Sequence, residues 1–248
     1  PVFSGVSHLT CGFDRAVREG LDSYEDRIDK KLREAENSPA LSPRSKRFLK
    51  SLKNTLSSFR LWHGRYLSAL RADDERYAVL SRVPFGKSES FLEAVQSLWC
   101  CFAFTRLCGN WSGLGRIDEY LGGYLQADLA SGRIDVEGAR ELLASLFVKG
   151  CEWIRSDPPT GSGDAQHYQN IVLGGVNEEG REVTNEVTYL ILDVAEELGI
   201  GAFKSGAGFG FSLLVNSSEG KERDGYLYWG DGIGESKNAR EFNRLDLQ

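Results

Sequence analysis

The sequence predicts a mainly α-helical fold with one short β-hairpin. Three observations carry that reading. Apolar residues recur every three or four positions through the first two-thirds of the chain. One short β-branched run, Asn170–Gly174 (NIVLG), is followed by the turn-forming Asn177-Glu178-Glu179-Gly180. The last 50 residues hold 10 glycines with weak periodicity. Residues 1–198 are therefore expected to form a helical region with the hairpin near 169–183, and residues 199–248 a Gly-rich segment of irregular structure.

In chain order, Phe13 to Glu36 reads as one helix, with Val17, Leu21, Tyr24, Ile28 and Leu32 on a single apolar stripe. Ser42-Pro43 supplies an N-cap followed by Pro at the first helical position. The helix it opens is expected to carry Phe48, Leu52, Leu56, Phe59, Trp62 and Tyr66 toward a core and to run, with or without a break, to Leu80. Pro84 and Gly86 make 83–87 a connector. Ser90 and Glu93 have capping-box spacing before Phe91–Leu107, which is apolar on most sides and so belongs in an interior. Helical patterns follow from Gly115 to Leu129, from Val136 to Ile154 and from Thr184 to Leu198, separated by a Pro, Gly and Ser-rich loop over 156–164 and by the strand.

Composition excludes several classes. Among 248 residues, 36 Asp and Glu exceed 30 Lys and Arg, giving a formal charge of −6, whereas a nucleic-acid binder needs a basic face. Arg44, Lys46, Arg47, Lys50 and Lys53 form a basic patch that reads as a solvated helix face. No apolar run is long enough for a membrane span, and no basic segment followed by an apolar block suggests a signal peptide, so a cytoplasmic location is expected. Five cysteines, an odd number with Cys100 and Cys101 adjacent, fit buried free thiols rather than a disulfide framework. No metal site is expected: there is no HExxH, no paired CxxC, and only His8, His63 and His167. Gly206-Ala-Gly-Phe-Gly210 is not a dinucleotide fingerprint. The chain opens on Pro1 and has no Met, which reads as a fragment or as a sequence from which Met positions have dropped out.

Three ordered segments carry a resemblance. They are Phe91-Leu-Glu-Ala-Val-Gln-Ser-Leu-Trp99; Leu114-Gly-Arg-Ile-Asp-Glu-Tyr-Leu121; and Gln169-Asn-Ile-Val-Leu-Gly-Gly175 with Gly180 and Thr184-Asn185. Together they resemble the FxEAxQxLW helix, the GRxDxYL motif and the QNxxLGG hairpin of the pyruvate formate-lyase-like glycyl radical enzymes, over roughly residues 4–200. The resemblance implies the N-terminal helical part of a ten-stranded α/β barrel. It implies radical lyase or dehydratase chemistry on a small polar substrate in an anaerobic cytoplasm. It also implies a protein glycyl radical installed by a separate S-adenosylmethionine and iron–sulfur activating enzyme, with no cofactor bound by the chain itself. A homodimer or aggregate is expected of the chain, because losing most barrel strands leaves the Asn170–Gly174 strand with an unpaired edge that invites self-association. In such a family the radical does the hard step and the protein orients and shields the substrate.

The resemblance also assigns positions. His8 matches a histidine that in some dehydratase members reaches the substrate; a structural His near a chain end is the competing reading. Asn110 and Trp111 stand where the family commonly has His and Ser, which changes pocket polarity. Arg116 and Asp118 are signature positions read as a scaffold pair, an arginine–carboxylate bridge at a helix start. Gln169 and Asn170 open the strand and are expected to satisfy loop backbone. Arg223-Asp-Gly-Tyr226 is a faint, one-residue-short version of the family's RVxGY loop, so Gly225 is the radical position by resemblance and an ordinary Gly turn by composition. None of the five cysteines lies where the family's cysteine loop should follow. The chain alone is therefore expected to be inactive. A truncated, non-catalytic helical binding or interaction protein derived from such an enzyme is the alternative.

Overall fold

The computed structural model describes residues 7–36, 41–107, 111–151, 169–198, 211–216 and 227–229. These form two compact units, one from Pro1–Cys11 with Thr105–Gln248 and the other from Gly12–Phe104.

The unit of residues 12–104 is helical: α1 (Phe13–Glu19), α2 (Leu21–Glu36), α3 (Pro43–Ala69), α4 (Glu75–Arg82) and most of α5 (Phe91–Leu107). The single helix expected over 13–36 is two. Gly20 breaks it with φ 75, and a Cβ there would lie 2.3 Å from the Phe85 carbonyl oxygen. The freed backbone of α2 instead donates from Leu21 N to Pro84 O (2.9 Å) and from Asp22 N to Phe85 O (3.0 Å). The break is thus fixed by the 83–87 connector, not by local propensity.

The Ser42 cap forms as expected, its hydroxyl accepting from Ser45 N at 3.1 Å with Pro43 at the start of α3. Ser90 accepts from Glu93 N (3.2 Å), while the Glu93 carboxylate reaches back to Glu89 N (2.8 Å), one residue before the expected partner. Phe59 stacks on Phe104 (centroids 4.2 Å apart) and meets Phe85 edge-on, making the aromatic centre of this unit. Phe48 and Tyr66, expected inside, are 62% and 51% exposed. The 27-residue α3 turns Phe59 inward as expected, and with it His63.

The other unit holds β1 (Ser7–Thr10), β2 (Trp111–Gly113), α6 (Ile117–Ser131), α7 (Val136–Cys151), β3 (Gln169–Gly174), α8 (Glu186–Glu197), β4 (Phe211–Asn216) and β5 (Leu227–Trp229). β1 pairs parallel with β2, and β3 pairs parallel with β4, which pairs antiparallel with β5. Gly115, two residues beyond β2, bridges Ile171 of β3 in parallel and joins the two sheets. Ile117, Leu121 and Leu125 of α6, Leu143 and Phe147 of α7, Ile171 and Leu173 of β3, and Val187, Ile191 and Val194 of α8 are fully or almost fully buried in this unit. Each such burial contributes about 1.5–3 kcal/mol.

Three expectations are corrected here. The hairpin near 169–183 is reduced to one antiparallel bridge, Val176↔Glu182, around the Asn177–Arg181 turn, while β3 itself finds a parallel partner. Gly174 and Gly175, both at positive φ, turn the chain away before a second hairpin strand can pair with β3. Nor does β3 present a bare edge to invite self-association: β4 covers one side, and Gly115 accepts from Val172 N (3.0 Å) on the other. Within 199–248, expected to be irregular, β4 and β5 are regular strands. Five strands occur among the described residues, against the ten of the expected barrel. Among those residues no helix is long and apolar enough to cross a membrane.

Candidate functional site

The parallel strands are brought together by the segment Leu114–Asp118. Gly115 adopts φ +72, and a Cβ on it would meet Thr10 Cγ2 at 2.5 Å. Only glycine lets the chain pass that close to the end of β1 while its carbonyl accepts from Val172 N. The Cys11 thiol donates to Ser112 Oγ (3.4 Å), tying the end of β1 to β2.

The next residues grip the far end of β3. The Arg116 guanidinium donates to Gly174 O (2.7 Å) and Val176 O (2.8 Å) and pairs with Glu119 (3.4 Å). Asp118 is fully buried. One of its carboxylate oxygens accepts from Gly174 N (2.7 Å) and Thr188 Oγ1 (2.8 Å), and the other from Glu119 N (2.9 Å). The expected Arg116–Asp118 bridge is therefore absent. The two side chains instead hold the same residue through its two flanking peptides, Asp118 taking the Gly174 N–H and Arg116 donating to its carbonyl. A two-residue offset along a helix start points side chains apart, so a strand end can lie between them more easily than they can meet each other.

Burial raises the Asp118 carboxyl above the ordinary carboxylate value; the three donors and the nearby Arg116 charge pull the other way without overcoming it. With no exposure and both oxygens engaged, this group holds geometry rather than transferring a proton to solvent or ligand. The α8 terminus completes the web. The Asn185 side chain accepts from Val187 N (2.9 Å) and donates to Asp118 O and Val183 O (both 2.9 Å), while Thr188 Oγ1 accepts from Asn185 N (3.1 Å). Gly122 leaves room for it: a Cβ there would sit 2.6 Å from Asn185 Nδ2.

The remaining sequence-predicted positions fall as follows. His8 lies on β1, and Trp111 begins β2 opposite Ser7, so the two backbones are neighbours. Gln169 and Asn170 open β3 opposite Phe211 and Ser212 of β4. Asn110 and Gly225 lie outside the described residues. Cys100 and Cys101 are buried in α5; burial lifts the Cys100 thiol to about 11 and pushes Cys101 up as well. Thr188 is the residue that sequence reasoning missed. It sits within an apolar helical pattern, and only its three-residue spacing from Asn185 hinted at a cap. No group of His, Cys, Asp and Glu suited to a metal ion occurs among the described residues.

The spatial pairing of the GRxD segment with the LGG strand end matches the order of motifs in the sequence, and the family described as pyruvate formate lyase-like matches residues 1–202. The chain belongs to that family, whose members are glycyl radical enzymes. An isethionate sulfite-lyase of Nitratidesulfovibrio vulgaris is 28% identical over 206 residues, 75% of this chain and 25% of that protein. A trans-4-hydroxy-L-proline dehydratase of Clostridioides difficile is 33% identical over 124 residues, 47% of this chain and 16% of that protein. A glycyl radical enzyme from Archaeoglobus fulgidus superposes with a TM-score of 0.65 at 25% identity, over 86% of this chain and 29% of that one. A structure describing 1,2-propanediol dehydration in Roseburia inulinivorans superposes at 0.69 and 23% identity, over 86% and 27%, and shares the fold. The chain thus spans about a quarter of the length of the curated relatives it matches over most of its own length.

Proposed function

We propose that these residues form one side of the reaction chamber of a glycyl radical lyase or dehydratase acting on a small polar substrate. One observation carries the reading: Gly115, Arg116 and Asp118 align β2 with β3, so the strands bearing His8, Trp111, Gln169 and Asn170 run parallel in one wall. The relatives' names span a carbon–sulfur lyase and a dehydratase, which fits a wall whose frame is kept while the side chains facing the substrate change. In this reading His8 and Trp111 face the substrate, Asn110 sets the polarity beside them, and Gln169 and Asn170 position the wall. The protein radical supplies the hydrogen-abstraction chemistry when installed by a separate activating enzyme, and the working form is a cytoplasmic homodimer in anaerobic cells.

The 248 residues alone are inactive in this proposal. Two of the described thiols, on Cys100 and Cys101, are packed inside a helix with raised pKa, and the chain spans only a quarter of those relatives' length. Electron paramagnetic resonance after anaerobic incubation with a glycyl radical activating enzyme tests both parts. No glycyl doublet is expected from the 248-residue chain; a doublet would overturn its inactivity. A gene product of the relatives' full length should give the doublet and consume one of a panel including isethionate, trans-4-hydroxy-L-proline and 1,2-propanediol. A full-length product that yields no doublet with any activating enzyme would overturn the enzymatic reading.

A further inference from the structure

Helix α3 carries Arg44, Lys46, Arg47, Lys50, Lys53, Arg60 and Arg65 and no Asp or Glu in its 27 residues. Seven of the chain's 30 basic residues and none of its 36 acidic ones lie there, so the remainder carries a formal charge of −13. Lys53 and Arg60 are answered by α2, through Asp29 (2.6 Å) and through Asp22 and Glu25 (2.7 and 2.9 Å). The side chains of Arg44, Lys46, Arg47 and Lys50 make no hydrogen bond or ion pair with any described residue. Beside them Phe48 is 62% exposed and Leu52, one turn on, 36%.

This arrangement opposes local stability. The first turn of a helix favours acidic side chains, yet α3 has none there and places cations at its positive end. Exposing Phe48 adds a further cost. A local rule broken without a compensating contact among the described residues is expected where a surface serves an outside partner.

We propose that the Arg44–Lys53 face of α3 docks an acidic protein segment that carries an apolar residue to cover Phe48 and Leu52. Charge complementarity selects the occupant. The face is about 14 Å long, and the Debye length at physiological salt is about 8 Å. A short acidic segment can lie wholly within the attractive region. A nucleic acid or an anionic membrane extends well beyond it and would set only a small part of its charge against these cations. Leu49, Leu56 and Phe59 are turned at least partly inward, leaving too few apolar side chains on α3 for bilayer insertion. This inference does not depend on the radical chemistry proposed above.

The test is fluorescence polarisation of the full 248-residue chain against a labelled short peptide of Glu and Asp containing one Phe and one Leu. Saturable binding that weakens with salt is expected; absence of binding overturns the proposal. R44E/R47E/K50E should weaken binding at least about tenfold. Its melting temperature should be unchanged or higher, since acidic residues suit that helix end, which separates lost docking from lost folding. F48A should weaken binding by about threefold or more. Unchanged binding by either variant overturns the proposal, as does equal affinity for phosphatidylserine vesicles or a single-stranded RNA of matched charge.

Discussion

Replacing Asp118 by Ala tests the central claim about the strand wall. The substitution removes the acceptor for two buried donors, Gly174 N and the Thr188 hydroxyl, and for Glu119 N. Each of the two buried donors left unpaired costs about 1–3 kcal/mol, whereas Glu119 is exposed and its N–H can turn to water. Relief from burying a carboxyl whose pKa burial already raises offsets part of this. The net expectation is a loss of about 3–5 kcal/mol, close to what breaking a buried charged interaction costs. Asp118→Asn keeps one oxygen, which can face Gly174 N and Thr188, and should lose only about 1–2 kcal/mol. Urea unfolding followed by circular dichroism, with linear extrapolation, measures both. Asp118→Ala and Thr188→Val should also be coupled in a double-mutant cycle, because they delete the same hydrogen bond. If Asp118→Ala and Asp118→Asn each lie within about 0.5 kcal/mol of the parent, the carboxylate does not hold the strand end and the reasoning fails.

Three further outcomes are expected. Gly115→Ala should destabilise by about 2–4 kcal/mol, from positive φ and from collision with Thr10 Cγ2, and Thr10→Ser should recover only the collision part; a loss below about 0.5 kcal/mol would show that the backbone there is free to relax. His63 is 3% exposed, its Nε2 has no hydrogen-bond partner among the described residues, and burial, aided by Arg60, lowers its pKa below the ordinary histidine value. The unfolded chain therefore takes up that proton first, so its contribution to stability is full above about pH 6.5 and is lost as pH falls below it. His63→Gln should remove this slope, and an unaltered slope in the variant would refute the assignment. In a Cys108→Ser/Cys151→Ser background, a thiol reagent should modify the half-buried Cys11 in the native chain and reach Cys100 and Cys101 only with denaturant; modification of all three without it would contradict their burial.

What could be read from the sequence was what local chemistry determines. Ser42-Pro43 caps α3 because the cap, the proline and the first turn are adjacent in the chain. The length and burial of α5 follow from an apolar run that leaves almost no solvent face. The break at Gly20 was hidden because the apolar stripe continues through it and its cause, the Phe85 carbonyl, is far along the chain. β1 and β2 were missed for a similar reason: four and three residues long, they carry no alternation and exist through parallel pairing with each other. Arg116 and Asp118 were legible as a structural pair, but their shared target at Gly174 is more than 50 residues away. Thr188 gave almost no signal, since its partner lies on another helix.

The chain leaves the unit containing β1 after Cys11, builds the whole of the Gly12–Phe104 unit, and only then returns to supply β2. During synthesis, β1 must wait for roughly 90 residues to emerge before Trp111–Gly113 can pair with it, about 5–20 s at ordinary translation rates. The helical insert has time to fold in that interval, and the first strand joins the wall only once β2 has arrived. Tethering or blocking the N-terminus should therefore slow closure of the strand wall while leaving formation of the helical insert unchanged.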